Sequence, residues 1–258
     1  MSPSRRQEQV LERLRTRHGR RKSDVFLVEG LRCCREALDR YAAGIEFALA
    51  DREFADSAAA EPFRAALGPR LEVVEDTSFA QYAVTENPQG ILCVCRRPDP
   101  PAPEARDPFA LILDRIQEPG NMGTILRTAC AIGLTAVWLT EGTADPYSPK
   151  AVRAGMGAQF SLRLHALPPL GEARPRLAAI GYSPLWLAVP GEGTSCYADE
   201  FHLPGSGLVI GNEANGIAEL DAGRPVRIPM PGDAESLNAA QAATILLFEA
   251  VRRRILGG

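Results

Sequence analysis

No apolar run in the 258-residue chain reaches the roughly 18–20 residues that a membrane helix needs. No apolar stretch follows the basic start Met1-Ser2-Pro3-Ser4-Arg5-Arg6 either, so a secretory leader is not expected, and the expected location is the cytoplasm. Histidine is scarce, at positions 18, 165 and 202, and the cysteines at 33, 34, 93, 95, 130 and 196 match no zinc-site spacing. No metal is therefore expected, and the thiols read as reduced side chains in a reducing compartment. Neither GxGxxG nor GxxxxGK(S/T) occurs, which removes support for a Rossmann-type dinucleotide site or a P-loop. GxSxG is missing as well, and with it the nucleophile elbow of an α/β-hydrolase. Glycine and proline show no period, which excludes a collagen-like chain.

What is present is an ordinary globular composition. Hydrophobic residues make up 45%, enough for a packed core and too many for a wholly disordered chain. The length suits one or two domains. Charge is unevenly placed. Arg5, Arg6, Arg13, Arg15, Arg17, Arg20, Arg21 and Lys22 face only Glu8 and Glu12 before position 23, a net +6 on a chain of formal charge −3. A basic segment on an acidic body suits a polyanion such as nucleic acid. A solvated helix from an arginine-rich composition reads the same way, since only Lys22 and Lys150 are lysines.

Residues 97–108 contain five prolines, which exclude a helix interior or a central strand and predict a stiff linker over 98–108. Two domains follow, 1–97 and 109–258. Before the linker, helices are expected over 7–17, 31–40 and 58–67, with strands over 25–28, 45–50, 71–74 and 91–95, a small α/β layer structure. After it, strands fit 111–116, 136–139, 162–165, 185–189, 208–211 and 226–228, and helices 123–132, 149–155, 172–180 and 237–255. Short, almost wholly apolar strands such as Leu208-Val209-Ile210 predict a mostly parallel sheet covered on both faces. Ligands then bind outside the strands' carboxyl ends.

Three polar strings follow such strands. In the first, Asn121 reads as the cap of a helix starting near Gly123, and Arg127 lies one turn beyond that glycine, either a cation for an anionic ligand or a plain surface arginine. In the second, Gly211-Asn212-Glu213-Ala214-Asn215-Gly216, turn chemistry explains the asparagines and glycines but not Glu213. In the third, Ile228-Pro229-Met230 leads through a Pro-Gly loop to Ser236, which reads as the N-cap of the last helix, and to Leu237 and Asn238.

Taken together and in order, Asn121 to Ala129, Gly211 to Gly216, and Ile228 to Asn238 resemble the three motifs of the SpoU (TrmH-like) family of the SPOUT superfamily. Residues 148–158 resemble a family segment between the first two, and Arg21 to Gly30 with Glu36-Ala37-Leu38 resembles the family's substrate-binding domain, which is similar to a small RNA-binding ribosomal protein. One departure is Ala239-Ala240-Gln241 where many relatives carry Val-Ser-Val.

The resemblance implies an α/β SPOUT domain with a deep trefoil knot. It also implies transfer of a methyl group from S-adenosylmethionine to a ribose 2′-hydroxyl of ribosomal RNA, and a homodimer. By the same resemblance Gly211, Ile228, Met230 and Leu237 hold the cofactor, and Asn121, Arg127, Glu213, Ser236 and Asn238 form the reacting end. Glu213 is then the expected proton acceptor, directly or through Ser236 or water, because a guanidinium is effectively never deprotonated. Arg20, Arg21 and Lys22, with Arg127, are the expected RNA contacts. Transfer RNA is the alternative substrate, and a non-catalytic RNA-binding protein keeping the fold the alternative class.

Overall fold

Short apolar stretches between polar turns form strands, and stretches with apolar positions three or four apart form helices. The computed structural model describes residues 3–256. Met1, Ser2, Gly257 and Gly258, the outermost positions of the two expected domains, lie outside the described residues. The chain begins α1 (Arg5–Arg15), α2 (Arg17–Arg21), β1 (Val25–Glu29), α3 (Leu31–Tyr41), β2 (Ile45–Ala50), α4 (Arg52–Asp56) and α5 (Glu61–Leu67). It continues β3 (Leu71–Val73), α6 (Asp76–Tyr82), β4 (Ile91–Arg96), β5 (Ala110–Leu113), α7 (Pro119–Ala131), β6 (Ala136–Thr140) and α8 (Pro149–Gly155). The remainder is β7 (Arg163–Leu167), α9 (Leu170–Ala179), β8 (Leu185–Ala188), β9 (Thr194–Ser195), β10 (Gly207–Ile210), β11 (Arg224–Arg227) and α10 (Ala239–Arg252).

Two compact units result. The first comprises Met1–Pro98 with Asp145–Phe160, the second Asp99–Ala144 with Ser161–Gly258. In the first, the sheet order is β1-β4-β2-β3, with β4 antiparallel to both β1 and β2 and β2 parallel to β3. Ile91 to Cys95 of central β4 are all buried, and the cysteines act as small core residues. Burial pushes the Cys34 thiol well above its usual range, with Cys93 adding to the effect, so it stays neutral. Leu11 and Leu14 of α1 enter the same core as Leu27, Leu49, Phe79 and Leu92. The basic segment is thus built into the unit. Residues 145–160 pack with the first unit although they lie between strands of the second: the Phe26 ring is 4.8 Å from that of Tyr147 and 5.8 Å from that of Phe160.

The second unit holds a seven-stranded sheet of order β7-β6-β5-β10-β8-β11-β9, in which every pairing is parallel. β5 and β10 are buried throughout, as strands covered on both faces must be. Ile112, Trp138, Leu177, Leu187 and Val209 pack together in a core cluster of this unit. The chain winds outward from β5 to β6 and β7, then returns to β8, and β10 enters between β5 and β8. Such a reversal opens a crevice at the strands' carboxyl ends. Among the described residues no helix is long and apolar enough to cross a membrane.

Candidate functional site

The loop leaving β5 is fixed by a buried carboxylate. Asp114 accepts from the Thr140 hydroxyl at 2.8 Å and pairs with Arg115 at 3.0 Å. Pro119, whose ring presets the helical φ, occupies the first helical position of α7, and Glu118 caps it by accepting from the backbone N–H of Gly120 and, at 3.0 Å, of Asn121. The helix therefore begins four residues before the expected Gly123, and Asn121 is not its cap. That leaves the Asn121 amide free to reach other loops.

The loop leaving β10 is tight. A Cβ at Gly211 would lie 2.5 Å from Ile217 Cγ1 and 2.8 Å from the Gly216 carbonyl carbon, so only glycine fits. Asn212 Oδ1 accepts from the N–H groups of Ala214 (3.0 Å) and Asn215 (2.9 Å), while its Nδ2 donates to the Arg115 carbonyl at 2.9 Å. This turn aims Glu213 at the start of α7. Its Oε2 accepts from Gln117 N at 3.0 Å, and its Oε1 from Glu118 N at 3.1 Å and Asn121 Nδ2 at 2.9 Å. Burial pushes the Glu213 carboxyl up, but the hydrogen bonds from Asn121, Gln117 and Glu118 outweigh it and hold it below the usual carboxylate range.

The loop leaving β11 reaches α10 through Asn238, which caps that helix by accepting from Ala240 N at 2.9 Å and Gln241 N at 3.4 Å. Ser236 is exposed and is not the cap, and the helix starts at Ala239 rather than Leu237. The physical reason is geometric: Asn238 stands one residue before the helix, where a side-chain oxygen meets the N2 and N3 donors. Asn238 Nδ2 also donates to Asn121 Oδ1 at 3.0 Å. Asn121, Glu213 and Asn238 thus form one bonded chain across three loops.

A cavity of about 660 Å³ opens at the carboxyl ends of β8, β10 and β11, a size that suits a nucleoside-sized ligand. Gly211, Ile228, Met230 and Leu237 all line it, as do Glu213 and Ser236. Asn121 and Asn238 do not line it; they adjoin it through Glu213. Arg127 is exposed on α7, with no ion pair among the described residues. The β8 loop, whose Pro190, Gly191 and Glu192 also line the cavity, was not among the expected loops, although a Pro-Gly turn after an apolar strand marks it in the sequence. Both charged side chains of the lining, Glu192 and Glu213, are acids. The cavity suits a neutral or cationic ligand, since no cationic side chain lines it. Among the described residues no group of three His, Cys, Asp or Glu side chains is placed to hold a metal ion.

In the first unit, the Arg20 guanidinium donates to the carbonyls of Leu14 (3.0 Å) and Arg15 (3.1 Å), closing the end of α1. Arg21 and Lys22 are exposed. Of the three expected RNA contacts there, Arg20 is the one committed to its own fold.

Comparison with known proteins places these features. Residues 9–93 match the MRM3-like substrate binding domain. The chain is 32% identical over 242 residues to the 23S rRNA (guanosine(2553)-2′-O)-methyltransferase RlmP of Bacillus subtilis, an alignment covering 92% of each. Among solved structures it resembles the SpoU methyltransferase AviRb of Streptomyces viridochromogenes in complex with the cofactor AdoMet, with a TM-score of 0.81 and 31% identity over 98% of this chain and 100% of that one. An AdoMet-bound rRNA methyltransferase from Sinorhizobium meliloti gives a TM-score of 0.79 at 28% identity, covering 98% and 97%. Residues 108–248, more than half of the sequence and all three bonded loops, match the SpoU rRNA Methylase family, and the chain belongs to that family.

Proposed function

We propose that this protein transfers a methyl group from S-adenosylmethionine to the 2′-hydroxyl of a ribose in ribosomal RNA. The observation that carries the reading is the chain Glu213–Asn121–Asn238 beside a cavity whose charged lining is wholly acidic. S-adenosylmethionine is a sulfonium cation without phosphate, it supplies an electrophilic methyl group, and such a lining fits it. Gly211, Ile228, Met230 and Leu237 would hold it. Arg127, always charged and exposed, would position an RNA phosphate and stabilise negative charge developing on the ribose oxygen. Glu213 already accepts three hydrogen bonds, so it stays ionised and acts as a positioning residue for Asn121. Ser236, exposed and lining the cavity, would pass the ribose proton to water.

The same reading extends to organisation. We take 1–97 and 109–258 as the two modules along the sequence, with 98–108 as linker, and the first module as the part that docks the RNA through Arg21 and Lys22. Phe248 and Val251, 50% and 38% exposed on α10, support a homodimer formed through that helix. Entry of β10 between β5 and β8, with α10 packed on α7, supports a trefoil knot. Six free cysteines, five of them buried, suit the reducing cytoplasm. The test is incubation with radiolabelled S-adenosylmethionine and ribosomal RNA from a deletion strain, followed by nuclease digestion. Label in 2′-O-methylnucleosides is expected. Label confined to base-methylated nucleosides, transfer only to transfer RNA, or no transfer would overturn the reading.

A further inference from the structure

The first unit carries cations that the site above does not use. α8 lies against β1 with Ala151 and Val152 fully buried, so Lys150 and Arg153, three residues apart on one side, face solvent. The turn after α8 is held against α3. Gly157 has a φ of +85°, and a Cβ there would lie 2.6 Å from the Glu36 Cβ. Phe160 then packs 5.8 Å from the Tyr41 ring. Arg153 is thereby brought beside α3, where burial pushes the Cys33 thiol up while Arg153 and then Arg32 pull it down.

Three acids near this face are engaged: Glu36 with Arg40 at 2.7 Å, Asp39 with Arg35 at 3.4 Å, and Asp145 with Arg97 at 3.3 Å, while Asp24 beside Lys22 is exposed. Arg32 and Arg153 have no ion pair among the described residues. At the other end Arg97 donates to both the Arg20 carbonyl, at 3.0 Å, and Asp145, which brings the exposed Arg21 and Lys22 next to the start of this segment. A basic stripe follows, from Arg21 and Lys22 past Lys150 and Arg153 to Arg32. It ends at a cavity of about 380 Å³ lined by Leu31, Arg32, Arg35, Glu36, Ala59 and Gln89.

We propose that this stripe is a track for the RNA backbone, with Arg153 and Arg32 on phosphates. Residues 145–160, which by sequence belong to the methylase stretch, would then be part of the substrate-binding surface. The inference rests on the reading above that RNA is the substrate.

The experiment titrates the full chain with protein-free large-subunit ribosomal RNA over a range of salt. It compares the parent, Arg32→Glu with Arg153→Glu, and Arg176→Glu on α9 as a control. The double variant should bind at least tenfold more weakly at low salt. Its slope of log K against log salt should be shallower by about 1.4–1.8, for two phosphates at roughly 0.7–0.9 each. S-adenosylmethionine affinity and melting temperature should match the parent, and Arg32→Lys with Arg153→Lys should keep the parental slope. Should the reversal lower the melting temperature, Arg32→Gln with Arg153→Gln decides by the same slope. A double variant with parental affinity and slope, beside a parent that binds RNA, overturns the track alone. A parent that binds no RNA overturns the substrate reading and the track with it.

Discussion

Asn121 donates to Glu213 and accepts from Asn238, so one amide plane joins the loops after β5, β10 and β11. Glu213→Gln would turn one of the two acceptor oxygens into a donor facing the donors already there, Gln117 N on one side or Glu118 N and Asn121 Nδ2 on the other. Loss of a hydrogen bond to a charged group is worth about 1.5–3 kcal/mol, and exposure of Glu213 favours the low end, so turnover should fall roughly ten- to thirtyfold. The folded carboxyl lies below its ordinary range, so its contribution is complete above that range and is lost as pH falls through the lowered value. The parent should therefore show an acid limb in its pH–rate profile that Glu213→Gln lacks; an identical limb in both would assign it elsewhere. Arg127→Ala should lower methyl transfer by roughly a hundred- to a thousandfold, the value of an electrostatic donor of about 2.7–4 kcal/mol, with calorimetric S-adenosylmethionine affinity unchanged. Near-parental turnover would remove Arg127 from the reacting end. The residues of this chain were legible as types in a polar string after a strand. Their partners were not, because capping depends on where a helix starts. Pro119 moved that start by four residues and shifted the cap to Glu118.

At the scale of elements, charge alone drew attention to residues 5–22, yet Leu11 and Leu14, three apart, were the stronger signal. They place α1 in the core, 2% and 1% exposed. Leu14→Ala should destabilise the first unit by about 2–5 kcal/mol, read from denaturant unfolding. Deleting 1–22 should lower its melting temperature as well, so the deletion cannot isolate an RNA contact. Arg21→Glu with Lys22→Glu can: surface changes there should move stability by no more than about 0.5 kcal/mol while flattening the salt dependence of RNA binding. An unchanged salt slope would leave these two cations out of the interface. The parallel sheet was readable because its strands are continuous apolar runs between turns. β9 was not, since two half-buried residues, Thr194 and Ser195, pair with β11 and carry no pattern.

For the whole molecule, α10 divides its apolar residues between two directions. Leu246 and Leu247 are buried, while Phe248 and Val251 are exposed. Phe248 and Val251, three residues apart on one face, form an exposed apolar patch that is the proposed seat for a second copy. Phe248→Glu should convert a dimer to a monomer by light scattering at micromolar concentration, and a parent already monomeric there would refute the assembly.

The packing of Tyr147 and Phe160 on Phe26 bears on how such enzymes could be recombined. A substrate-binding module cut at the proline linker and grafted onto another methylase would arrive without those two rings, and the β1 edge would meet a foreign segment in their place. Transplanting specificity would require carrying residues 145–160 along with 1–97, two pieces that are separated along the sequence but packed in one compact unit.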